Sequence, residues 1–141
     1  MNAWSIVRFA LLAVAFLQGA FVSQSPVSPE EVSLWPAFRL FGFGILCMLF
    51  VVGIQRINPF SAPSWRYPSW FINPFLFREP LQFFHLAGFS MLATSAGTLV
   101  RMLFVEPLLW FSALSSLAFG AGILGGVYAC TFVYRGKMER T

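Results

Sequence analysis

The chain has 141 residues and a formal charge of +4; 58% of it is hydrophobic, 18% aromatic and only 10% charged, against about 25% charged in a soluble domain. Nine basic and five acidic side chains set beside 18 Phe and 5 Trp exclude an ordinary water-soluble fold, because so short a chain lacks the polar surface to cover that apolar bulk. The basic excess does not point to nucleic acid, since its members stand singly between apolar runs instead of forming a patch.

The first apolar run is Trp4 to Val22, interrupted only by Ser5, Arg8 and Gln18, about the 20 residues that a helix needs to cross a bilayer. Arg8 followed by Phe9 to Ala20 also fits the opening of a signal peptide, but no small-x-small cleavage site follows: Phe21 and Val22 are bulky and Pro26 comes just after Ser25. A retained span is therefore expected. Ser28-Pro29-Glu30-Glu31 then reads as a helix start, with Ser28 as N-cap, Pro29 at the first helical position and Glu31 as capping-box partner.

The second span is expected at about 37–55, with an uncharged stretch from Leu40 to Gln55 and with Trp35 and Arg39 as interface anchors. Residues 57–80 hold five of the nine prolines, and Ile57-Asn58-Pro59-Phe60 returns as Ile72-Asn73-Pro74-Phe75. Each interior proline removes a helix hydrogen bond and clashes with the preceding turn, so this segment is a Pro/Trp-rich loop and not a span. Trp65, Arg66, Tyr67 and Trp70 place it at the membrane interface, where aromatic rings and arginines suit anionic headgroups or a neighbouring subunit.

The third span, at about 81–104, opens after Glu79-Pro80 and contains His85 and Arg101; the fourth, at about 107–134, is uncharged. With four spans and an inside amino terminus, Arg8, Arg56, Arg66, Arg78, Arg135, Lys137 and Arg140 collect on the cytoplasmic side, against Arg39 and Arg101 opposite. That seven-to-two asymmetry predicts both termini in the cytoplasm. The fold expected is thus a single all-α integral membrane domain, residues 1–141, with four transmembrane helices in the inner membrane; no strand alternation suggests a β-barrel.

Three features carry candidate roles. Ala118, Gly122 and Gly126, with Cys130 next, fall four apart on one face of the fourth span, the spacing that lets helices approach closely in lipid. Ser90, Thr94 and Thr98 fall four apart on the third, with Arg101 on the same side. That stripe suits either a pore wall favouring anions or hydroxyls bonded to their own preceding turn, with Arg101 snorkelling or paired to Glu106. His85, the lone histidine, is an ionisable residue inside a span. A haem would take from it one axial ligand, leaving Met91, Met102 or a second chain to supply the other, so no cofactor is expected.

Cys47 and Cys130 lie in apolar runs without metal-ligand or CxxC spacing. No nucleophile and base pair, paired carboxylates or phosphate loop is visible, and no acid lies deep in a span. The reading that follows is a non-enzymatic membrane protein acting through lipid or protein contacts, including self-association, as an accessory, assembly or protective subunit. A small oligomeric channel or transporter using the third-span stripe is the alternative, and a redox subunit using His85 the second.

Overall fold

The computed structural model describes residues 2–22, 34–57, 65–76, 78–105 and 110–138. The capping-box segment Ser28 to Glu31, the first copy of the Asn-Pro-Phe repeat and Glu106 lie outside the described residues. Four α-helices make up the fold: α1 (Ala3–Val22), α2 (Trp35–Ile57), α3 (Pro80–Phe104) and α4 (Trp110–Val133), with a short 3-10 turn at Arg135–Lys137. No strand occurs among the described residues. The helix ends lie within a few residues of the apolar runs legible in the sequence.

By length and composition α1, α3 and α4 can each cross a membrane, whereas within α2 the comparable apolar run is the shorter Ala37–Phe50. Exposed apolar side chains cover the outer helices, among them Phe9, Val14, Leu17 and Phe21 on α1 and Phe38, Phe43, Leu46 and Phe50 on α2. Contiguous apolar surface on that scale is not tolerated in water. Helices of this kind point to an integral membrane protein.

The helices pack as a row, in the spatial order α1, α3, α4, α2, with α1 and α2 making no substantial contact with each other. Burial patterns explain the order. Each outer helix buries one stripe: Ser5, Arg8, Ala15 and Gly19 on α1, and Ala37, Gly44 and Met48 on α2. The inner helices bury two. On α4, Ala113 and Gly120 face α3, while Gly122 and Gly126 face α2; α3 turns Gly88 and Ser95 to α4 and Gln82 and Gly97 to α1.

Missing side chains set the closest crossings. A Cβ at Gly97 would overlap the Phe16 carbonyl oxygen, and one at Gly19 would overlap that of Thr94. At the other edge, a Cβ at Gly122 would overlap the Phe41 carbonyl oxygen, and one at Gly44 would lie 2.9 Å from that of Phe119. Small residues let backbones approach where lipid offers no hydrophobic drive for helices to associate. These contacts run in the same direction along both members, so α1 and α3 are parallel, as are α2 and α4; α3 and α4 are antiparallel, Ser95 meeting Ala113 and Gly88 meeting Gly120.

Candidate functional site

The row brings the start of α1, the start of α3 and the end of α4 to one end of the molecule, where the segment before α3 straps them together. Pro80 occupies the first turn of α3, where a missing N–H costs nothing. Glu79, just before it, does not cap the helix with its side chain; its buried carboxylate pairs instead with Arg66 of the strap at 3.4 Å. Two local turns shape the strap, as Ser69 Oγ accepts from the Phe71 N–H at 3.3 Å and Asn73 Oδ1 from the Phe75 N–H at 2.9 Å.

Most of the strap's anchoring runs through its backbone carbonyls. Asn2 donates to Phe71 O at 3.0 Å and Ser5 to Trp70 O at 3.3 Å. Arg8, fully buried, directs Nε and Nη2 at Ile72 O, at 3.2 and 3.0 Å, and Nη2 also reaches Gln82 Oε1 at 3.3 Å. Gln82, equally buried, accepts from the Ser69 N–H at 3.0 Å and donates to Tyr67 O at 2.8 Å. A guanidinium with a rigid fork of donors suits this task, since one side chain holds a carbonyl and an amide at once.

The partners of Arg8 are uncharged oxygens, with the Trp70 ring 5.8 Å from its guanidinium carbon. Burying a charge costs free energy unless hydrogen bonds and polarisable neighbours replace its water. Charge-assisted bonds of roughly 1.5–3 kcal/mol each and the cation–π contact supply that replacement. Its Nη1 has no hydrogen-bond partner.

Trp70 is the apolar counterpart of this clamp. It stacks on Phe9 at 5.7 Å and meets His85 at 5.2 Å and Phe89 at 5.0 Å. Trp65 stacks on Tyr134 at 4.4 Å, beyond the end of α4, and packs against the core of Met48, Leu81, Val127 and Cys130. The strap thus passes from the carboxy-terminal end of α4 across to α1 and returns to α3. That path accounts for its length, which a turn between neighbouring helices would not need.

His85 is buried among the rings of Trp70, Phe89 and Tyr128, with Nδ1 lacking a hydrogen-bond partner. No group of three or more His, Cys, Asp or Glu that could hold a metal occurs among the described residues.

The third-span stripe runs along α1. Thr94 donates to Ser90 O and Thr98 to Thr94 O, both at 3.0 Å, the back-bonding that helical threonines commonly make. Thr98 also reaches Gly19 O at 3.4 Å, and Arg101 donates to Phe21 O at 2.7 Å, satisfying a carbonyl in the last turn of α1. Gly122 and Gly126 meet Phe41 and Met48 of α2, so their close approach is made within this chain. Ala118, one turn earlier, lines an apolar groove between α2 and α4.

Arg8, Gln82 and Glu79 were not singled out by the sequence reading. The available signal was depth: Arg8 stands within the first apolar run and Gln82 at the start of the third, and an intramembrane polar residue usually has a partner. Compared with protein families, curated proteins and solved structures, the chain matches none of them.

Proposed function

We propose that the chain is a four-span inner-membrane protein, with both termini and the strap on the cytoplasmic side, that works without catalysis through contacts with lipid and with other membrane proteins, including copies of itself. Accessory, assembly or protective roles within a larger complex are of this kind. The observation that carries the reading is the division between inside and outside. Polar side chains within the layer bond carbonyls of this same chain, at Arg8, Gln82, Ser95, Thr98 and Arg101, while α1 and α2 turn exposed apolar side chains outward. A molecule built this way offers surface and holds little chemistry.

The same division weighs against a channel, since the hydroxyls of Thr94 and Thr98 bond helix carbonyls and their stripe runs along α1. Support for the orientation comes from the seven-to-two distribution of basic residues. Affinity purification from native membranes in mild detergent, with mass spectrometry, tests the functional reading. A stoichiometric membrane-protein partner or a stable homo-oligomer is expected; a monomer that conducts ions selectively in liposomes would overturn it. Reporter fusions test topology separately, a carboxy-terminal reporter being active only on the cytoplasmic side.

A further inference from the structure

We propose that the outer knuckle of the strap, Phe71, Phe75 and Leu76 beside Arg78, seats an anionic phospholipid, with the Arg78 guanidinium on the headgroup phosphate and the rings against the upper acyl chains. The inference deepens the lipid contact proposed above, which affinity purification and reporter fusions read without added lipid, so the two can fail separately. Phe71, Phe75 and Leu76 are all exposed although they stand together in a connector. An apolar cluster left open in this way marks a contact with lipid or with another surface.

The knuckle is tied down from its inner side. Pro74 is fully buried, the Phe71 carbonyl accepts from Asn2 and the Ile72 carbonyl from Arg8, and Asn73 Oδ1 fixes the turn into Phe75. These anchors leave the rings of Phe71 and Phe75 outside. The same bonds set its depth. Asn2 stands just before α1, and the knuckle leads into Pro80, where α3 begins; both helices are long and apolar enough to span, so the knuckle lies at the level where two spans enter the membrane. Phe9, exposed on α1, stacks on Trp70 next to Phe71, which joins the knuckle to the apolar flank of that helix.

Charge complementarity names the occupant. Of the arginines at this end, Arg8 is buried in the clamp and Arg66 pairs with Glu79, whereas Arg78 is exposed. It belongs to the knuckle: the Glu79 N–H donates to Leu76 O at 2.9 Å, a reversal that keeps Arg78 close to Leu76. A cation just ahead of a helix amino terminus opposes the helix dipole, so Arg78 gives α3 no stabilisation. Toward an anionic headgroup the same charge is favourable, and a zwitterionic headgroup, carrying its own cation, offers less. Exposed rings beside a basic residue at the membrane surface are the two halves of an interfacial anchor.

The purified full-length protein in mild detergent is titrated with phosphatidylglycerol or with phosphatidylcholine of the same chains, with and without inorganic phosphate, and retained lipid is counted by native mass spectrometry. Phosphatidylglycerol is expected to be retained in preference to phosphatidylcholine and not to be displaced by phosphate. Photoreactive phosphatidylglycerol should crosslink to the peptide carrying Phe71, Phe75 and Arg78. Arg78→Gln should weaken phosphatidylglycerol retention roughly fivefold, the factor for ~1 kcal/mol per basic residue near an anionic surface, and leave phosphatidylcholine unaffected. Replacing Phe71 and Phe75 together by Ser should reduce retention of both lipids. Equal retention of the two lipids by the parent would overturn the proposal, as would crosslinks confined to other peptides, retention unchanged in Arg78→Gln, or displacement by phosphate, which would make the ligand a free anion. So would a homodimer that dissociates when both phenylalanines are replaced, because the occupant would then be a second copy. Arg78 is exposed, so its variant keeps the test decisive even where the double variant fails to fold.

Discussion

The guanidinium of Arg8 and the side-chain amide of Gln82 meet at 3.3 Å, 74 residues apart in the chain and both fully buried. Between them they hold the strap by the Ile72 and Tyr67 carbonyls and the Ser69 N–H. Their bonds convert a proline-rich connector into part of the packed structure.

Arg8→Lys keeps the charge but replaces the fork with a single ammonium that cannot reproduce its planar geometry. The variant should lose roughly 2–3 kcal/mol of unfolding free energy in detergent, a charge-assisted bond or more. Amide exchange in residues 65–76 should rise with it. An unfolding midpoint equal to the parent's would refute the clamp.

Substitutions at glycines should divide by what a new Cβ meets. Gly97→Ala and Gly122→Ala place a methyl group on a neighbouring backbone carbonyl, whereas Gly42→Ala and Gly125→Ala meet nothing within 4 Å. The first pair should destabilise by about 1–3 kcal/mol through forced separation of helices. The second should be neutral or stabilising by up to ~1 kcal/mol from helix propensity. Thermal unfolding of all four in one detergent checks the division, and equal effects across the pairs would contradict it.

Ser95 donates to Ala113 O at 2.7 Å in a buried position between α3 and α4. Interhelical bonds of this type contribute about 0.6 kcal/mol on average and up to about 1.7, so Ser95→Ala should cost about 1 kcal/mol. Thr94→Ala, whose hydroxyl bonds its own helix, should cost less. A double-mutant comparison with Gly88→Ala would show whether the bond and the close approach reinforce each other.

Trp65 and Trp70 should lie at the headgroup level of the bilayer. Proline excludes a spanning helix here, and indole rings favour that boundary. Single-tryptophan variants with quenchers at graded depths measure it: shallow probes should quench most. Strongest quenching from the bilayer centre would show the strap re-entering the membrane.

Helix positions were legible because each rests on a local property, a long apolar run with at most one or two charges near its ends, set off by proline-containing segments. The order in space was not. Gly122 and Gly126 announce a close neighbour, but the spacing is the same whether that neighbour is α2, α3 or a second chain. Ser90, Thr94 and Thr98 share a face in any helix, and only the position of α1 decides what that face meets. Arg8 was the larger omission. A lone arginine early in an apolar run serves topology equally well, and Gln82 carries no charge to draw attention; their meeting depends on α1 and α3 lying side by side.

The row order α1, α3, α4, α2 also bears on how the molecule is assembled during synthesis. Of the four helices, the two made earlier, α1 and α2, are the two that end farthest apart, and each finds its glycine-lined neighbour only when a helix two places later has emerged. An early hairpin of α1 and α2 is therefore not a piece of the final structure. A nascent chain ending before Pro80 carries the bare faces around Gly19 and Gly44, together with Arg8 lacking its Gln82 partner, until α3 and α4 slot between the first pair.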